Sequence, residues 1–182
     1  MNKIIRYFFL TIFYFLFTSL PLTADETKIK IGLLAPLTGD NAKVGKEIVE
    51  AVRLALKDIN SQQIEIYPKD TQSDANKTLL SAIELDKIGV NLVIGPVFYE
   101  SLTYLDEVKN TTFLSLTNKT LDLPKNVISS GINSTSQINT IKKFVEQNKI
   151  KRSIFLIPNL NYDLEIKKGI KNSKIKIFKE YY

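Results

Sequence analysis

The side chains able to do chemistry are few in kind. The 182 residues include neither histidine nor cysteine, which removes the usual general base, the commonest metal ligand, the thiolate nucleophile and any disulfide framework. Triad hydrolysis and zinc hydrolysis are therefore not expected. Carboxylates remain. Asp70 ends an apolar run and could reach a crevice, whereas Asp40, Asp74 and Glu100 serve equally well as helix caps or solvated loop charges. No two carboxylates are fixed by spacing along one element, as paired acid and base work ideally requires. The run GDNAKVGK from Gly39 to Lys46 has five residues between its glycines, and Glu47 stands where a phosphate loop needs a hydroxyl for Mg²⁺. GxGxxG is absent as well, so no nucleotide, metal or other cofactor is expected. The chain is not expected to be an enzyme.

The remaining polar groups suit holding a molecule better than changing it. Ser101 follows the IGP tripeptide, and Ser115, Thr117 and Asn118 surround the next apolar run. With backbone amides at helix starts they could receive a carboxylate without a cationic side chain. Phe98 and Tyr99 offer an apolar or stacking wall, and Tyr162 could close from a second unit. Four N-x-Ser/Thr triplets, at Asn76, Asn110, Asn118 and Asn133, occur in an Asn-rich chain and do not predict glycosylation.

Those groups must be positioned by the elements around them. Ile29 to Leu34 reads as a buried strand, and residues 46–60 place Ile48, Val52, Ala55, Leu56 and Ile59 at helical spacing. Residues 64–70 form a second strand. A helix capped by Asp74 follows, turning Ala75, Leu79, Ala82 and Ile83 inward before it ends at Gly89. A third strand at 90–96, a short helix over 101–110 with Leu102, Leu105 and Val108 inward, and a fourth strand at 111–118 complete this unit. Alternation of buried strands and amphipathic helices predicts an α/β fold with a parallel sheet. Right-handed crossovers bring every strand's carboxyl end to one edge, the edge where open α/β sheets hold ligands.

Residues 127–136, small and polar, suit a crossing segment. Beyond it lie a helix with Ile138, Ile141, Phe144 and Val145 inward, and a strand at 153–158. A loop with Asn159, Asn161 and Tyr162, a short helix near Leu164 to Ile170, and a terminal strand alternating Ile175 and Ile177 with lysine follow. Two strands and two helices offer little core for independent stability, so this unit needs docking or further chain.

Residues 1–24 combine a cationic start, an apolar run from Tyr7 to Phe17 and a small-residue exit, the order of a signal peptide cleaved after Ala24. Removing Lys3 and Arg6 leaves 23 basic and 19 acidic side chains, a balance of +4. The lysines are dispersed and lack the arginine cluster or aromatic platform of a nucleic-acid groove, so nucleic acid is not an expected partner.

With this pattern assembled, KIKIGLLAPLTGDNAKVGKEIVEAVRLALKDIN resembles the opening of type I periplasmic binding proteins, especially the leucine/isoleucine/valine-binding group. The likeness continues through IYPKDTQSDANKTLLSAIELDKIGVNLVIGPVFYES, FLSLTN and IKRSIFLIPNLNYD. YPKDTQSDANK, IGPVFYES and LSLTNKTLDLP are similar also to the binding-protein-like domain of penicillin-binding protein activators. The resemblance implies a signal peptide at 1–24, a Rossmann-like first lobe at 25–130 that is nearly complete, and a crossing segment with a partial second lobe at 131–182. It implies a periplasmic solute-binding protein for an ABC-type transporter, closing on an amino acid or similar small polar ligand and docking on a membrane permease. Phe98, Tyr99, Ser101, Ser115, Thr117 and Tyr162 would hold the ligand, with Leu37, Thr38, Asn41 and Asp70 at the cleft rim. Asp163 stands where the family commonly has glycine. The alternative is an activator-like regulator that contacts a peptidoglycan synthase. Such proteins generally need about twice this mature length, so the chain is expected to be the front portion of a longer one.

Overall fold

The computed structural model describes residues 28–157, 162–177 and 179–181. The expected signal peptide, Asn159 and Asn161 lie outside the described residues. Five strands, β1 (Ile29–Ala35), β2 (Ile64–Asp70), β3 (Leu92–Ile94), β4 (Thr112–Ser115) and β5 (Val127–Ser129), form one parallel sheet in the order β2-β1-β3-β4-β5. Helix α1 (Ala42–Ile59) links β1 to β2, and α2 (Ala75–Lys87) links β2 to β3. These two crossovers step in opposite directions from β1, so right-handed connections put the two helices on opposite faces of the sheet.

Register decides which side chains meet which helix. Val93, Phe113 and Val127 align across β3, β4 and β5 and share a core with Leu34, Ala82 and Leu85. Phe113 is fully buried at its centre; enclosing a side chain of that kind stabilises the fold by roughly 1.5–3 kcal/mol. The opposite face carries α1 as its one described helix, and Leu92 and Ile128 on that face stay 36% and 55% exposed.

Several elements depart from the sequence expectations. The segment 101–110 forms two short 3₁₀ turns, Tyr99–Leu102 and Leu105–Glu107, rather than one helix, although Leu102, Leu105 and Val108 are buried as expected. The proposed crossing segment begins with a real fifth strand, since Val127 pairs with Phe113. In α1, Ile48, Val52 and Leu56 are half-buried, but Ala55 is exposed and Ile59 is 58% exposed, because the helix rests on the sheet along a narrow seam. Asp74 caps α2 as expected, accepting the Lys77 amide at 2.8 Å.

The second unit is smaller. Helix α3 (Ser134–Gln147) starts at Asn133, whose side chain accepts the Ser136 amide at 3.0 Å. Strand β6 (Ile154–Leu156) pairs in parallel with β7 (Lys179–Tyr181), joined through α4 (Asp163–Ser173). The terminal strand thus lies beyond Ile175 and Ile177. Ile138 faces inward as expected, whereas Ile141 and Phe144 are 43% and 60% exposed, because α3 packs on the polar and small face of α4 instead of on a wide sheet.

Candidate functional site

The carboxyl ends of β1 and β2 are adjacent, with Ala35 opposite Asp70. This register aims the Asp70 carboxylate into the loop that leaves β1. It accepts the Leu37 amide at 2.8 Å, the Thr38 amide at 3.3 Å, the Thr38 hydroxyl at 2.5 Å and the Gln72 amide at 3.0 Å. Burial pushes the carboxyl group up. The Thr38 hydroxyl and the amides of Gln72, Leu37 and Thr38 together outweigh that influence and hold it below the usual aspartate range. Asn41 donates to the Ser73 hydroxyl at 3.0 Å, tying the same loop to the β2 exit. A Cβ at Gly45 would collide with the Pro36 carbonyl, so α1 starts in backbone contact with this loop. Leu37, Thr38 and Asp70 therefore fasten one another, while Asn41, on the same loop, is held by Ser73.

A second group forms where β3 and β4 end. The Ser115 hydroxyl is fully buried, donates to the Pro96 carbonyl at 2.9 Å and accepts the Thr117 amide at 3.2 Å. Thr117, also buried, accepts the Lys119 amide through its hydroxyl at 3.3 Å, while its carbonyl receives the Ser129 hydroxyl at 2.7 Å. Phe98 is half-buried and precedes the first 3₁₀ turn. The Lys119 ammonium lies 3.9 Å from the centre of the Tyr99 ring, a cation–π contact that ties the β4 exit to the β3 exit. Ser101 is buried, and its hydroxyl has no hydrogen-bond partner among the described residues.

Tyr162 lies at the start of α4. Burial raises its hydroxyl above the ordinary tyrosine value, the neighbouring Glu165 charge adds to that rise, and Ser134 opposes it. Glu165 is the residue that the sequence reading missed. It is 2% exposed, and its carboxylate accepts the Thr120 amide at 2.5 Å, the Thr120 hydroxyl at 2.8 Å and the Leu121 amide at 2.6 Å. The spacing carries part of the signal: Gly169 and Ser173, four residues apart, share the buried face of α4 with Glu165, but nothing local says what its carboxylate meets. Small residues at that spacing mark a helix face made for close approach.

Two cavities are bordered by described residues near these elements. One of about 200 Å³ is lined by Tyr99, Leu102, Thr103, Asp122 and Pro124. Another of about 700 Å³ runs between the carboxyl ends of α3 and α4, with Lys142, Lys149 and Lys174 on its walls. Among the described residues, no three carboxylates gather as a metal site requires, and no helix is long and apolar enough to cross a membrane.

Residues 28–174 match the periplasmic binding protein family. The chain belongs to that family. Its members bind rather than catalyse, and together with the leader sequence this makes the chain an exported periplasmic protein. Among curated proteins, none matches the sequence. Solved structures agree on the fold. The C-domain of LpoA from Haemophilus influenzae, a regulator of PBP1A, superposes with a TM-score of 0.67 at 16% identity, covering 84% of this chain and 50% of that one. The leucine-binding protein LivK from Thermotoga maritima gives 0.57 at 17% identity, covering 84% and 47%. LivJ from Streptococcus pneumoniae, solved with isoleucine, gives 0.56 at 21% identity, covering 84% and 49%. The chain spans about half the length of these structures.

Proposed function

We propose that this periplasmic binding-protein module regulates cell-wall synthesis by contact with a peptidoglycan synthase, not by delivering a solute. The observation that carries the reading is the internal use of polar groups expected at the cleft rim and among the ligand-holding residues. Asp70 is taken up by Leu37, Thr38 and Gln72, and Ser115 by Pro96 and Thr117. A solute would have to displace bonds that are already made, at a cost of about 1 kcal/mol or more for each. The likeness in fold to the LpoA domain, described as a regulator of PBP1A, accords with the same reading.

Transport is the second reading, and Ser101 is the observation that favours it. Its buried, unpartnered hydroxyl beside Tyr99 and Phe98 is a group that an incoming polar ligand could satisfy. Under that reading Phe98, Tyr99, Ser101, Ser115, Thr117 and Tyr162 hold an amino acid, and a permease is the partner. One pair of measurements separates the two. The regulator reading expects saturable binding to a purified peptidoglycan synthase and no thermal shift with a panel of amino acids. A solute at one hundred times its Kd would add about 2.7 kcal/mol of stability, so a saturable shift of several degrees without synthase binding would establish transport instead.

A further inference from the structure

The β4–β5 connection around Thr120 and Leu121 has no regular secondary structure, yet it presents two amides and a hydroxyl toward one point. That is the donor set of a carboxylate site, since an anion accepting several such bonds is held without any cationic side chain. The occupant comes from the chain itself. Glu165 reaches across 45 residues of sequence from the second unit to fill it. The backbone of α4 is fixed alongside, because the Ser134 hydroxyl donates to the Glu165 carbonyl at 2.6 Å, and Gly169 lets α4 lie against the backbone of Ser134.

We propose that Glu165 is a built-in carboxylate ligand, which fills an anion site on the five-stranded unit and fastens the second unit to it with no solute present. The 120–121 loop is thus a site for a small carboxylate that the chain keeps closed by self-occupation. The consequence is a fixed relation between the two units and a constant surface for any protein partner. This goes beyond the synthase reading and does not need it: synthase binding can fail while the site behaves as described, and the reverse also holds.

Chemical rescue tests the assignment. Glu165→Ala removes a fragment equal in shape and charge to acetate. The variant of the full chain is expected to melt below the wild type and to be restored saturably by sodium acetate, but not by sodium chloride at equal ionic strength. The wild type, its site filled, is expected to show no acetate-specific shift. An equal acetate response in both proteins, or a folded variant with none, overturns the proposal. Should Glu165→Ala fail to fold, hydrogen exchange on the wild type decides. The Thr120 and Leu121 amides are expected to exchange roughly 100-fold more slowly than those of an open loop, and exchange at the open-loop rate overturns it. Glu165→Gln keeps a carbonyl oxygen for both amides and turns its NH2 toward the Thr120 hydroxyl, so it removes the charge alone and is expected to reduce that protection without abolishing it.

Discussion

The five-stranded unit and the two-stranded unit follow the same alternation of strand and helix, but they are held by different forces. In the first, Phe113, Val93, Leu34 and Leu85 enclose one another, and the apolar core would persist if any one loop were cut loose. In the second, the buried positions of α4 are Glu165, Gly169 and Ser173, while Leu156 and Phe144 remain 79% and 60% exposed. Two strands cannot bury enough apolar surface to stand alone. The smaller unit buries Ile138, Ile157 and Ile175 and adds polar fastening and close backbone approach, so its stability leans on the larger one.

The largest effect should come from the core of the first unit. Phe113→Ala is expected to cost about 3–5 kcal/mol and to lower the urea midpoints of both units together. Loss of the first with the second intact would show that the smaller unit is self-sufficient. Gly169→Ala comes next. The added Cβ would lie 2.9 Å from the Ser134 carbonyl carbon and 3.0 Å from its oxygen, and forcing the helices apart is expected to cost about 1–3 kcal/mol. Exchange protection should fall in α3 and α4 while the five-stranded sheet keeps its own; a uniform fall would mean that the two units open as one.

Acid should separate the two buried carboxylates from everything around them. Burial acts to raise Glu165, but the Thr120 amide and hydroxyl and the Leu121 amide, with Lys168 behind them, prevail and hold it below the usual glutamate range. Asp70 is lowered by the same kind of contest. A depressed folded value means stability that is fully present above the unfolded values of about 4 and is lost as pH falls through the folded values. Asp70→Asn is expected to cost about 1–2 kcal/mol at neutral pH, and the difference from wild type should shrink in urea titrations as pH falls through the lowered folded value of Asp70. A constant difference across that range would show that the Asp70 charge plays no part. The smallest effect belongs to Leu156→Ser, expected within about 0.5 kcal/mol of wild type because the side chain is already in solvent. A larger loss would show that the exposed face of the small sheet is covered in solution.

Much of this was readable in the sequence, and the failures have a common cause. The strands at 29–35, 64–70, 92–94 and 112–115 carry apolar runs, and the Asp74 cap announces its helix. β5 was missed because Val127 and Ile128 run directly into Ser129, Ser130 and Gly131, a small polar stretch with the composition of a loop. The inward faces of α1 and α3 were over-assigned because periodicity tells which face is apolar, not how much of it finds a surface to cover. At the site, the strand-end position of Asp70 was legible, but its partners at Leu37 and Thr38 were not, being 33 and 32 residues away. Glu165 and Thr120, 45 residues apart, belong to the same class. Spacing reports what an element can do locally and is silent about the carboxylate that a distant loop receives.

The edges of the large sheet bear on how the protein meets others. β2 lies at one border and carries Pro68, which is exposed and has no amide hydrogen to offer, and β5 at the other border is three residues long. A stray strand from a neighbouring molecule finds a missing donor on one side and too short a template on the other, two devices that discourage edge-to-edge growth. Among the described residues, both borders of the main sheet are thereby guarded against stacking into fibrils. Contact with another polypeptide is left to the broad surfaces, where side chains rather than backbone choose the partner.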